Sequence, residues 1–238
     1  MYGHTHALGD VGTVYDQDPF NDLADERRRM VEVQIRARGV TDGRVLEVLT
    51  VVPRERFVTV DLRDAAYEDR ALPIGFGQTI SQPYIVAYMT EQLRVMPESR
   101  ILEVGTGTGY QTAILASLGR EVFTIERIDA LRERALENLK ALGYSNVTVR
   151  SGDGSVGLAA FAPYDRIIVT AAGPRVPTSL IDQLVDRGRL VLPVGGPTDQ
   201  TIVCVTRDGP RIIESPTIGC RFVKLIGAEG WNGDQDDA

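Results

Sequence analysis

Cysteine and histidine are scarce in this sequence of 238 residues, which contains two of each. Cys204 and Cys220 are too few for a disulfide framework, and each lies in an apolar, strand-like context typical of inert thiols in a reducing compartment. Both histidines, His4 and His6, lie in the polar N-terminal stretch. The sequence therefore predicts no metal site, and it offers no histidine for catalysis within the folded part.

An excess of positive charge is also missing. The formal net charge is −7, with 26 lysines and arginines against 33 aspartates and glutamates. Because sequence-independent binding to nucleic acid needs a basic surface, this balance argues against nucleic acid as a partner. The chain has no apolar run long enough to span a bilayer, and residues 1–10 lack the basic-then-apolar pattern of a signal peptide. We therefore expect a cytoplasmic protein with no membrane partner.

What the sequence does contain is the composition of an ordinary globular protein. Hydrophobic residues make up 43% and charged residues 25%, which suits one large domain with a sizeable core. We predict a flexible N-terminal arm (residues 1–21), N-terminal helices with a substrate and active-site loop (22–98), a core of alternating strands and helices ending in antiparallel strands (99–230), and an acidic tail (231–238). The sequence shows no large apolar stripe for self-association, so a monomer is expected.

The most informative stretch is a strand, a glycine-rich turn and a helix in succession. Apolar residues over 100–104 predict a short strand, Gly105, Gly107 and Gly109 follow it, and residues 110–118 are typical of a helix. Glycine allows positive φ angles and lets the main chain approach a ligand without an intervening Cβ atom. This arrangement predicts the ligand-binding corner of a doubly wound α/β sheet.

The spacing of these glycines indicates the kind of ligand. A dinucleotide-binding fingerprint needs its third glycine at position 110, which is Tyr110 here, so a dinucleotide-binding domain is the weaker alternative. Glu103 precedes the first glycine by two residues, and Glu126 follows the next predicted strand, 21 residues after Gly105. An acidic side chain at about that distance accepts hydrogen bonds from the two ribose hydroxyls of an adenosine. The combination resembles motif I and the following acidic strand end of S-adenosylmethionine-dependent methyltransferases.

The rest of the chain continues the alternation of strands and helices. Strands are predicted at residues 121–125, 147–150, 166–170 and 189–193, helices at 22–38, 41–49 (capped by Thr41), 83–93, 129–142 and 178–186, and a hairpin at 201–207 and 211–215. With the resemblance, this pattern predicts an α/β protein of the class I S-adenosylmethionine-dependent methyltransferase fold. That fold is Rossmann-like, with a mostly parallel seven-stranded sheet, helices on both faces and an antiparallel C-terminal hairpin.

A second unusual stretch, at residues 71–83, reads Ala-Leu-Pro-Ile-Gly-Phe-Gly-Gln-Thr-Ile-Ser-Gln-Pro. With it, the chain resembles the protein-L-isoaspartate O-methyltransferase family over about residues 28–227. The family also shows, in this order, Val-Pro-Arg-Glu (here 52–55), Gly-Asp-Gly (152–154), Ile-Ile-Val-Thr-Ala-Ala (167–172), Leu-Pro-Val-Gly (192–195) and Arg-Phe-Val (221–223). Lys224 and Cys220 depart from the family pattern, in which proline and valine are common at these positions, so fine substrate contacts stay open.

The resemblance implies the residues of the site. It makes Ser81 the catalytic hydroxyl. It implies the cofactor-binding residues Gln78, Thr79, Ile80, Glu103, Gly105, Thr106, Gly107, Gly109, Tyr110, Glu126, Arg127, Asp153 and Gly154. It implies the substrate-binding residues Ile80, Gln82, Arg221 and Phe222. From the residues alone three alternatives stay open: Ser81 also suits a helix N-cap, Asp153 a turn and Phe222 the core.

The implied reaction moves a methyl group from S-adenosylmethionine, leaving S-adenosylhomocysteine, to the α-carboxylate of L-isoaspartyl residues in damaged proteins and peptides. That carboxylate is ionised at neutral pH, so a site without histidine needs no general base. The methyl ester then leaves by spontaneous succinimide formation, which returns part of the damaged residue to aspartate.

The alternative is a related O-methyltransferase dedicated to an aspartate in one peptide client, for which residues 1–21 are the candidate recognition extension. A methyltransferase acting on a small molecule or RNA, and a non-catalytic cofactor-binding protein, fit the motifs less well.

Overall fold

A seven-stranded sheet forms the centre of the computed structural model, which describes residues 23–232. A separate two-stranded hairpin lies ahead of it in the chain. In chain order the strands are β1 (Leu72–Gly75) and β2 (Gln78–Ile80) of the hairpin, then β3 (Arg100–Val104), β4 (Glu121–Glu126), β5 (Val147–Ser151), β6 (Tyr164–Val169), β7 (Leu184–Gly195), β8 (Gln200–Asp208) and β9 (Arg211–Cys220).

The large sheet has the strand order β5-β4-β3-β6-β7-β8-β9. The strands from β5 to β7 are parallel, and β8 and β9 are antiparallel to their neighbours, so the predicted fold class is confirmed. From β3 the chain moves outward through β4 to β5, and then returns to the other side of β3 with β6. Ligands of doubly wound sheets bind where the strand order reverses in this way, beyond the carboxyl ends of the strands.

Apolar side chains are buried on both faces of the parallel strands. Ile101 and Leu102 are neighbours in β3, belong to different core clusters, and are both fully buried. Because successive strand residues point to opposite faces, a run buried in this way needs a cover on each side of the sheet. Each such side chain contributes about 1.5–3 kcal/mol of hydrophobic stabilisation. The core therefore fixes the strand register on which the site is built.

Helices lie on both faces of the sheet, and those on one face are longer than the one on the other. The helices are α1 (Ala24–Arg29), α2 (Gly43–Val51), α3 (Pro83–Leu93), α4 (Tyr110–Leu118), α5 (Asp129–Ala141) and α6 (Thr178–Asp182). α1 continues into a π-helical segment (Met30–Ile35) and a 3₁₀ turn (Arg36–Arg38). Residues of α2 to α5 belong to the first core cluster, which contains Ile101. Residues of α6 and Leu225, which follows β9, belong to the second core cluster, which contains Leu102. Among residues 23–232 no helix is long and apolar enough to cross a membrane.

The helix predicted over residues 178–186 is wrong beyond Asp182, where α6 ends. β7 begins at Leu184, five residues ahead of the strand predicted at 189. Leu184 pairs with Tyr164 of β6, and the N–H of Tyr164 donates to the carbonyl of Gln183 at 2.8 Å. Pairing with a neighbouring strand, which is a tertiary contact, therefore prevails over the helical spacing of the apolar residues in this segment.

The predicted cap of the second helix is also wrong, because Asp42 and not Thr41 caps α2. The Asp42 carboxylate accepts hydrogen bonds from the N–H groups of Arg44 (2.9 Å) and Val45 (3.4 Å). Thr41 instead donates its N–H to the carboxylate of Glu91 in α3 at 2.6 Å. α2 ends at Val51, two residues later than predicted.

The core continues across the predicted boundary at residues 98 and 99, because Leu46 and Leu93 share a cluster with Ile101 and Val122. The predicted arm and most of the predicted tail lie outside the described residues. Trp231, with which the predicted tail begins, donates its indole Nε1–H to the carbonyl of Ala172 at 3.0 Å. The division into four regions stays a prediction.

Candidate active site

The turn between β3 and α4 brings bare main chain to the carboxyl edge of the sheet. Gly105, Gly107 and Gly109 all have positive φ, at 94°, 56° and 99°. A Cβ atom on Gly105 would lie 2.3 Å from Oγ1 of Thr170, the residue that follows β6. That hydroxyl donates to the carbonyl of Gly105 at 2.7 Å. Both the main-chain conformation and the approach of Thr170 therefore require glycine at position 105.

Glu126 reaches the same edge from the end of β4. One carboxylate oxygen accepts the N–H of Gly107 at 2.9 Å, and the other accepts the N–H of Ile128 at 3.0 Å. The residue is 6% exposed and lines the cavity beside the glycine turn. Each oxygen of a carboxylate can accept a second hydrogen bond, so Glu126 has a fixed direction and acceptor capacity left for a ligand.

This cavity lies beyond the carboxyl ends of β3 and β4. We call it the cofactor cavity. Of the predicted cofactor-binding residues, it is lined by Gln78, Thr79, Gly105, Gly107, Glu126, Arg127 and Gly154.

Part of the cavity wall comes from residues outside the predicted set. Lys224 forms a parallel bridge with Ala172, and the N–H of Leu225 donates to the Ala172 carbonyl at 2.8 Å. This contact returns the C-terminal segment to the end of β6, where residues 223–226 join Thr170 and Ala171 in the wall. The apolar residues after Phe222 are a weak signal in the sequence, but their spacing does not say where the segment returns.

Glu103 lies beneath the glycine turn and does not itself line the cavity. Its side chain is fully buried, and one carboxyl oxygen accepts hydrogen bonds from the hydroxyls of Thr112 (2.5 Å) and Thr124 (2.7 Å). Thr124 also shares a hydrogen bond with Thr106 of the turn at 2.7 Å. Burial raises the pKa of Glu103 to about 8, although the two hydroxyls act to lower it. The contacts of Glu103 therefore support the turn from behind.

A second cavity adjoins the cofactor cavity next to the β1–β2 hairpin. Of the predicted residues, it is lined by Thr79, Ile80, Ser81, Gly105, Thr106, Gly107, Tyr110 and Phe222. Gly109 instead packs against α5, where a Cβ atom would lie 3.3 Å from Leu139. The structure thus brings the hairpin, the glycine turn and the C-terminal segment around one space.

An open groove leads from this region along the C-terminal end of β9. Ser81, Gln82, Arg221 and Phe222 all line the groove. Thr79 and Thr170 border the groove and both cavities. The three spaces therefore meet between the hairpin and the end of β6, and we call this meeting point the junction.

Ser81 lies next to the junction, one residue ahead of the N-cap of α3, which is Gln82. The interpretation of Ser81 as a helix N-cap is therefore wrong, while Pro83 is the first helical residue, as predicted. The carbonyl of Ser81 accepts a hydrogen bond from Arg54 at 2.7 Å. The residue is half-buried and borders both the second cavity and the groove.

Asp153 anchors the C-terminal segment near the cofactor cavity. One carboxylate oxygen accepts the N–H and the hydroxyl of Ser155 at 2.8 and 2.7 Å, and the other accepts the N–H of Ala228 at 2.7 Å. Burial acts to raise the pKa of Asp153, but these hydrogen bonds outweigh it and hold the pKa below its usual value. Asp153 thus has the turn position that the sequence allowed. Its neighbour Gly154 lines the cavity, but Asp153 itself does not.

Phe222 has both of the positions that the sequence left open. It packs against the first core cluster and lines the second cavity and the groove. The side chain of Gln200, which is 7% exposed, holds its main chain: the N–H of Phe222 donates to Oε1 at 2.6 Å, and Nε2 donates to the carbonyl at 3.2 Å. Arg221 beside it is exposed in the groove.

The fold and this site define a class, the methyltransferases that use S-adenosylmethionine: bare main chain and an acidic strand end face a cavity at the carboxyl edge of the sheet, and a groove opens next to it. A narrower assignment comes from known proteins. Residues 25–230 match the family model "Protein-L-isoaspartate(D-aspartate) O-methyltransferase (PCMT)". The chain belongs to this family, which confirms the resemblance found in the sequence.

Relatives of nearly the same length support the assignment. A protein-L-isoaspartate O-methyltransferase from Methanoregula boonei is 54% identical over 208 residues, which cover 87% of this chain and 96% of the relative. Protein-L-isoaspartate O-methyltransferase 2 from Geotalea uraniireducens is 51% identical over 209 residues, with coverage of 87% and 96%.

Solved structures agree with the sequence relatives. A protein-L-isoaspartate O-methyltransferase superimposes with a TM-score of 0.78 at 29% identity, and the match covers 86% of this chain and 67% of the other. A β-aspartate methyltransferase (PCMT) from Plasmodium falciparum, in complex with S-adenosyl-L-homocysteine, gives a TM-score of 0.74 at 25% identity, with coverage of 84% and 98%.

Proposed function

We propose that this protein transfers a methyl group from S-adenosylmethionine to the α-carboxylate of L-isoaspartyl residues in damaged proteins and peptides. Family membership and relatives at about half identity support the reaction. The observation that carries the assignment is the junction, where Thr79 and Thr170 border the cofactor cavity and the groove and Ser81 lies alongside. A methyl donor in the cavity and a carboxylate in the groove would meet there.

The walls of the cofactor cavity fit S-adenosylmethionine by their chemistry. Gly105 and Gly107 present main chain without side chains, and Glu126 would accept hydrogen bonds from the ribose hydroxyls. Asp153 is the candidate acceptor for the adenine amino group, because its second oxygen retains acceptor capacity beside the hydrogen bond from Ala228. The remaining cofactor-binding assignments are Gln78, Thr79, Ile80, Thr106, Tyr110, Arg127 and Gly154 as direct contacts, with Glu103 and Gly109 acting through the turn.

Little chemistry is left for the protein itself in this reaction. When bound, S-adenosylmethionine supplies a methyl group on a positively charged sulfur, and the substrate carboxylate accepts it. Because that carboxylate has a pKa of about 4, it is already ionised at neutral pH and needs no base. The protein would hold the reacting atoms about 3–3.5 Å apart and exclude water. Ser81 would donate its hydroxyl to one carboxylate oxygen, with main-chain N–H groups around residues 80–82 beside it.

The groove would hold the peptide on either side of the isoaspartyl residue. Gln82, Arg221 and Phe222 line the groove together with Ser81, and Ile80 lines the second cavity beside it, so these four are the proposed peptide contacts. The methyl ester would then cyclise without the enzyme: a backbone nitrogen of the peptide attacks the ester carbonyl, methanol leaves, and hydrolysis of the resulting succinimide returns part of the damage to aspartate.

We further propose that the protein acts in the cytoplasm as a monomer, with isoaspartyl proteins and peptides as partners and neither nucleic acid nor membrane among them. The net charge of −7 supports the exclusion of nucleic acid. Both cysteines are unpaired, which suits a reducing compartment.

The test is methyl transfer from labelled S-adenosylmethionine to a pair of peptides that differ only in aspartate or isoaspartate. Wild type should place base-labile label on the isoaspartyl peptide alone. Ser81→Ala should lower kcat/KM by about 10- to 100-fold, because one orienting hydrogen bond to the carboxylate is lost. Its affinity for S-adenosylhomocysteine, measured by calorimetry, should stay unchanged. Ser117→Ala, on the exposed face of α4, is the matched control and should behave as wild type.

Other outcomes would assign the reaction differently. Label on neither peptide, with S-adenosylhomocysteine still bound, would contradict isoaspartyl repair and favour a methyltransferase dedicated to an aspartate in one peptide client. Label on both peptides would contradict selectivity for isoaspartate. Full activity in Ser81→Ala would leave the reaction in place but remove Ser81 from it.

A further inference from the structure

Arg54 is a fully buried arginine that touches the main chain of the active-site segment. It lies in a 3₁₀ turn (Arg54–Arg56) after α2, and none of its surface is exposed. Its Nε donates to the carbonyl of Ala66 and its Nη2 to the carbonyl of Ser81, both at 2.7 Å. The planar guanidinium group therefore bridges two main-chain carbonyls that are 15 residues apart in the chain.

The same guanidinium group also contacts the helix that follows the glycine turn. Its central carbon lies 4.9 Å from the centroid of the Tyr110 ring, within the range of a cation–π interaction. Tyr110 is the first residue of α4, directly after the glycine turn, and lines the second cavity. Arg54 thus joins the segment that carries Ser81 to the helix that begins at the glycine turn.

Stability alone does not explain a charged side chain in this place. Burial lowers the pKa of Arg54 to about 10, with the neighbouring Tyr110 and Tyr67 opposing the shift, so the guanidinium stays charged at neutral pH. Moving a guanidinium group out of water costs free energy, which its two hydrogen bonds and its contact with Tyr110 have to offset. A role in geometry, beyond stability, is therefore the more economical account of Arg54.

The hydrogen bond to Ser81 fixes the direction of the peptide group that follows it. The Ser81–Gln82 peptide bond is trans, since the cis bond of the described residues is Ala162–Pro163. In a trans peptide the C=O and N–H groups point in opposite directions. Because the Ser81 carbonyl points at Arg54, the N–H of Gln82 points away from Arg54, and both Ser81 and Gln82 line the groove. The nearby charge would also polarise this peptide group and strengthen its N–H as a donor.

We propose that Arg54 is a positioning residue for the methyl acceptor: it holds the Ser81 carbonyl, and with it the Ser81 hydroxyl and the Gln82 N–H, at a set place relative to the glycine turn. Arg54 itself does not touch the carboxylate. This inference rests on the proposed function, because it assigns the substrate carboxylate to Ser81.

The experiment compares Arg54→Met and Arg54→Lys with Arg27→Met. Arg27 is the matched control, because it is also a buried arginine that binds main chain: it is 7% exposed, lies near Tyr67 and Tyr110, and donates to the carbonyl of Val51 at 2.9 Å. For each variant we would measure kcat and KM for the isoaspartyl peptide, affinity for S-adenosylhomocysteine, and thermal unfolding.

Arg54→Met should lower kcat/KM for the peptide by about 100-fold, the effect of moving a reacting group by about 1 Å, with affinity for S-adenosylhomocysteine unchanged. Arg54→Lys keeps the charge but not the planar fork, so its kcat/KM should fall between those of Arg54→Met and wild type. Arg27→Met should lose thermal stability but keep the kcat/KM of wild type.

The proposal is overturned if both Arg54 variants keep wild-type kcat/KM, or if their loss is no larger than that of Arg27→Met at equal thermal stability. If Arg54→Met does not fold, the same comparison is decided by Arg54→Lys. An inactive wild type would refute the proposed function itself, and this inference with it. An active wild type with unaffected Arg54 variants would refute this inference alone.

Discussion

The two sides of the site are held in shape in different ways. On the cofactor side the main chain itself makes the surface, through the positive φ angles of Gly105 and Gly107 and the direct hydrogen bond from Gly107 to Glu126. On the acceptor side, side chains from distant parts of the chain hold the main chain. Arg54 and Gln200 bind the main chain of residues 81 and 222.

This contrast predicts two kinds of response to substitution. A main-chain surface with a neighbour at van der Waals distance has no room for an added Cβ atom, so one substitution should disable it. A segment held by several side chains should lose its position by degrees as each one is removed. The first kind of change should act on cofactor affinity, and the second on the KM for the peptide.

Gly105→Ala should have the largest effect. Its Cβ atom would lie 2.3 Å from Thr170 Oγ1, and its φ of 94° is strained for alanine. The strain costs about 1–2 kcal/mol, and the displacement of Thr170 adds to it. We expect the free energy of unfolding to fall by about 2–4 kcal/mol and binding of S-adenosylhomocysteine to be lost. Urea denaturation and calorimetry measure the two effects.

The matched control is Gly39→Ala. Gly39 has a φ of 95°, but its added Cβ atom would meet no atom within 4 Å. This variant should show the conformational strain alone, about 1–2 kcal/mol, with cofactor affinity intact. Equal losses of stability in the two variants, with affinity retained in both, would mean that the approach of Thr170 does not matter.

The same contrast explains what could be predicted from the sequence. β3 and α4 were predictable to their ends, at residues 100–104 and 110–118, because an apolar run, three glycines and a helical pattern are neighbours in the chain. The contact between the end of β6 and the C-terminal segment was not predictable, because the bridge between Ala172 and Lys224 joins residues far apart in sequence. Arg54 belongs to the Val-Pro-Arg-Glu motif, but the motif did not indicate that its side chain is buried, since an arginine in a polar turn is usually exposed.

The roles of the two acidic residues near the glycine turn could also be predicted to different degrees. Glu126 was predictable because its distance from the glycines has a known chemical reason. The supporting role of Glu103 was not, because the pattern places an acidic residue near the turn without saying whether its side chain points at the ligand or at Thr112 and Thr124. Burial, which decides between these possibilities, is a property of the folded chain.

Glu103→Gln should reveal a pH dependence on the cofactor side. Burial raises the pKa of Glu103 from its usual 4.5 to about 8, so between these values the folded protein holds a proton that the unfolded chain has lost. The contribution of Glu103 to the free energy of unfolding is therefore fully present below pH 4.5. It falls by about 1.4 kcal/mol per pH unit as the pH rises, until the carboxyl ionises in the folded state near pH 8. Glutamine resembles the protonated form and should lack this loss.

Urea denaturation from pH 5 to 9 checks this expectation. Relative to wild type, Glu103→Gln should gain stability steadily up to about pH 8, and the difference should level off above it. Parallel curves for the two proteins would show that Glu103 is ionised in the folded state throughout. Affinity for S-adenosylhomocysteine at pH 6 should be equal in both, because the side chain does not itself line the cavity.

Gln200→Met should have the smallest effect, and it should fall on the peptide. The substitution removes the two hydrogen bonds that hold Phe222, in a side chain of similar length. Each lost bond costs about 0.5–1.5 kcal/mol, but Phe222 keeps its packing against the core, so the groove wall loosens without collapsing. We expect the KM for the isoaspartyl peptide to rise by about three- to tenfold, with kcat and cofactor affinity close to wild type.

Gln183→Met is the control that separates the displacement of Phe222 from a general loss of stability. Gln183 is also 7% exposed, and its amide holds main chain in the same way, accepting the N–H of Leu158 at 2.9 Å and donating to the carbonyls of Val156 and Ser179 at 2.8 and 2.9 Å. It lies beside α6, away from the groove. Its variant should lose at least as much stability as Gln200→Met while the KM for the peptide stays at the wild-type value. An equal rise in KM in both variants would mean that the groove responds to general loosening of the protein, and Gln200 would lose its special place on the acceptor side.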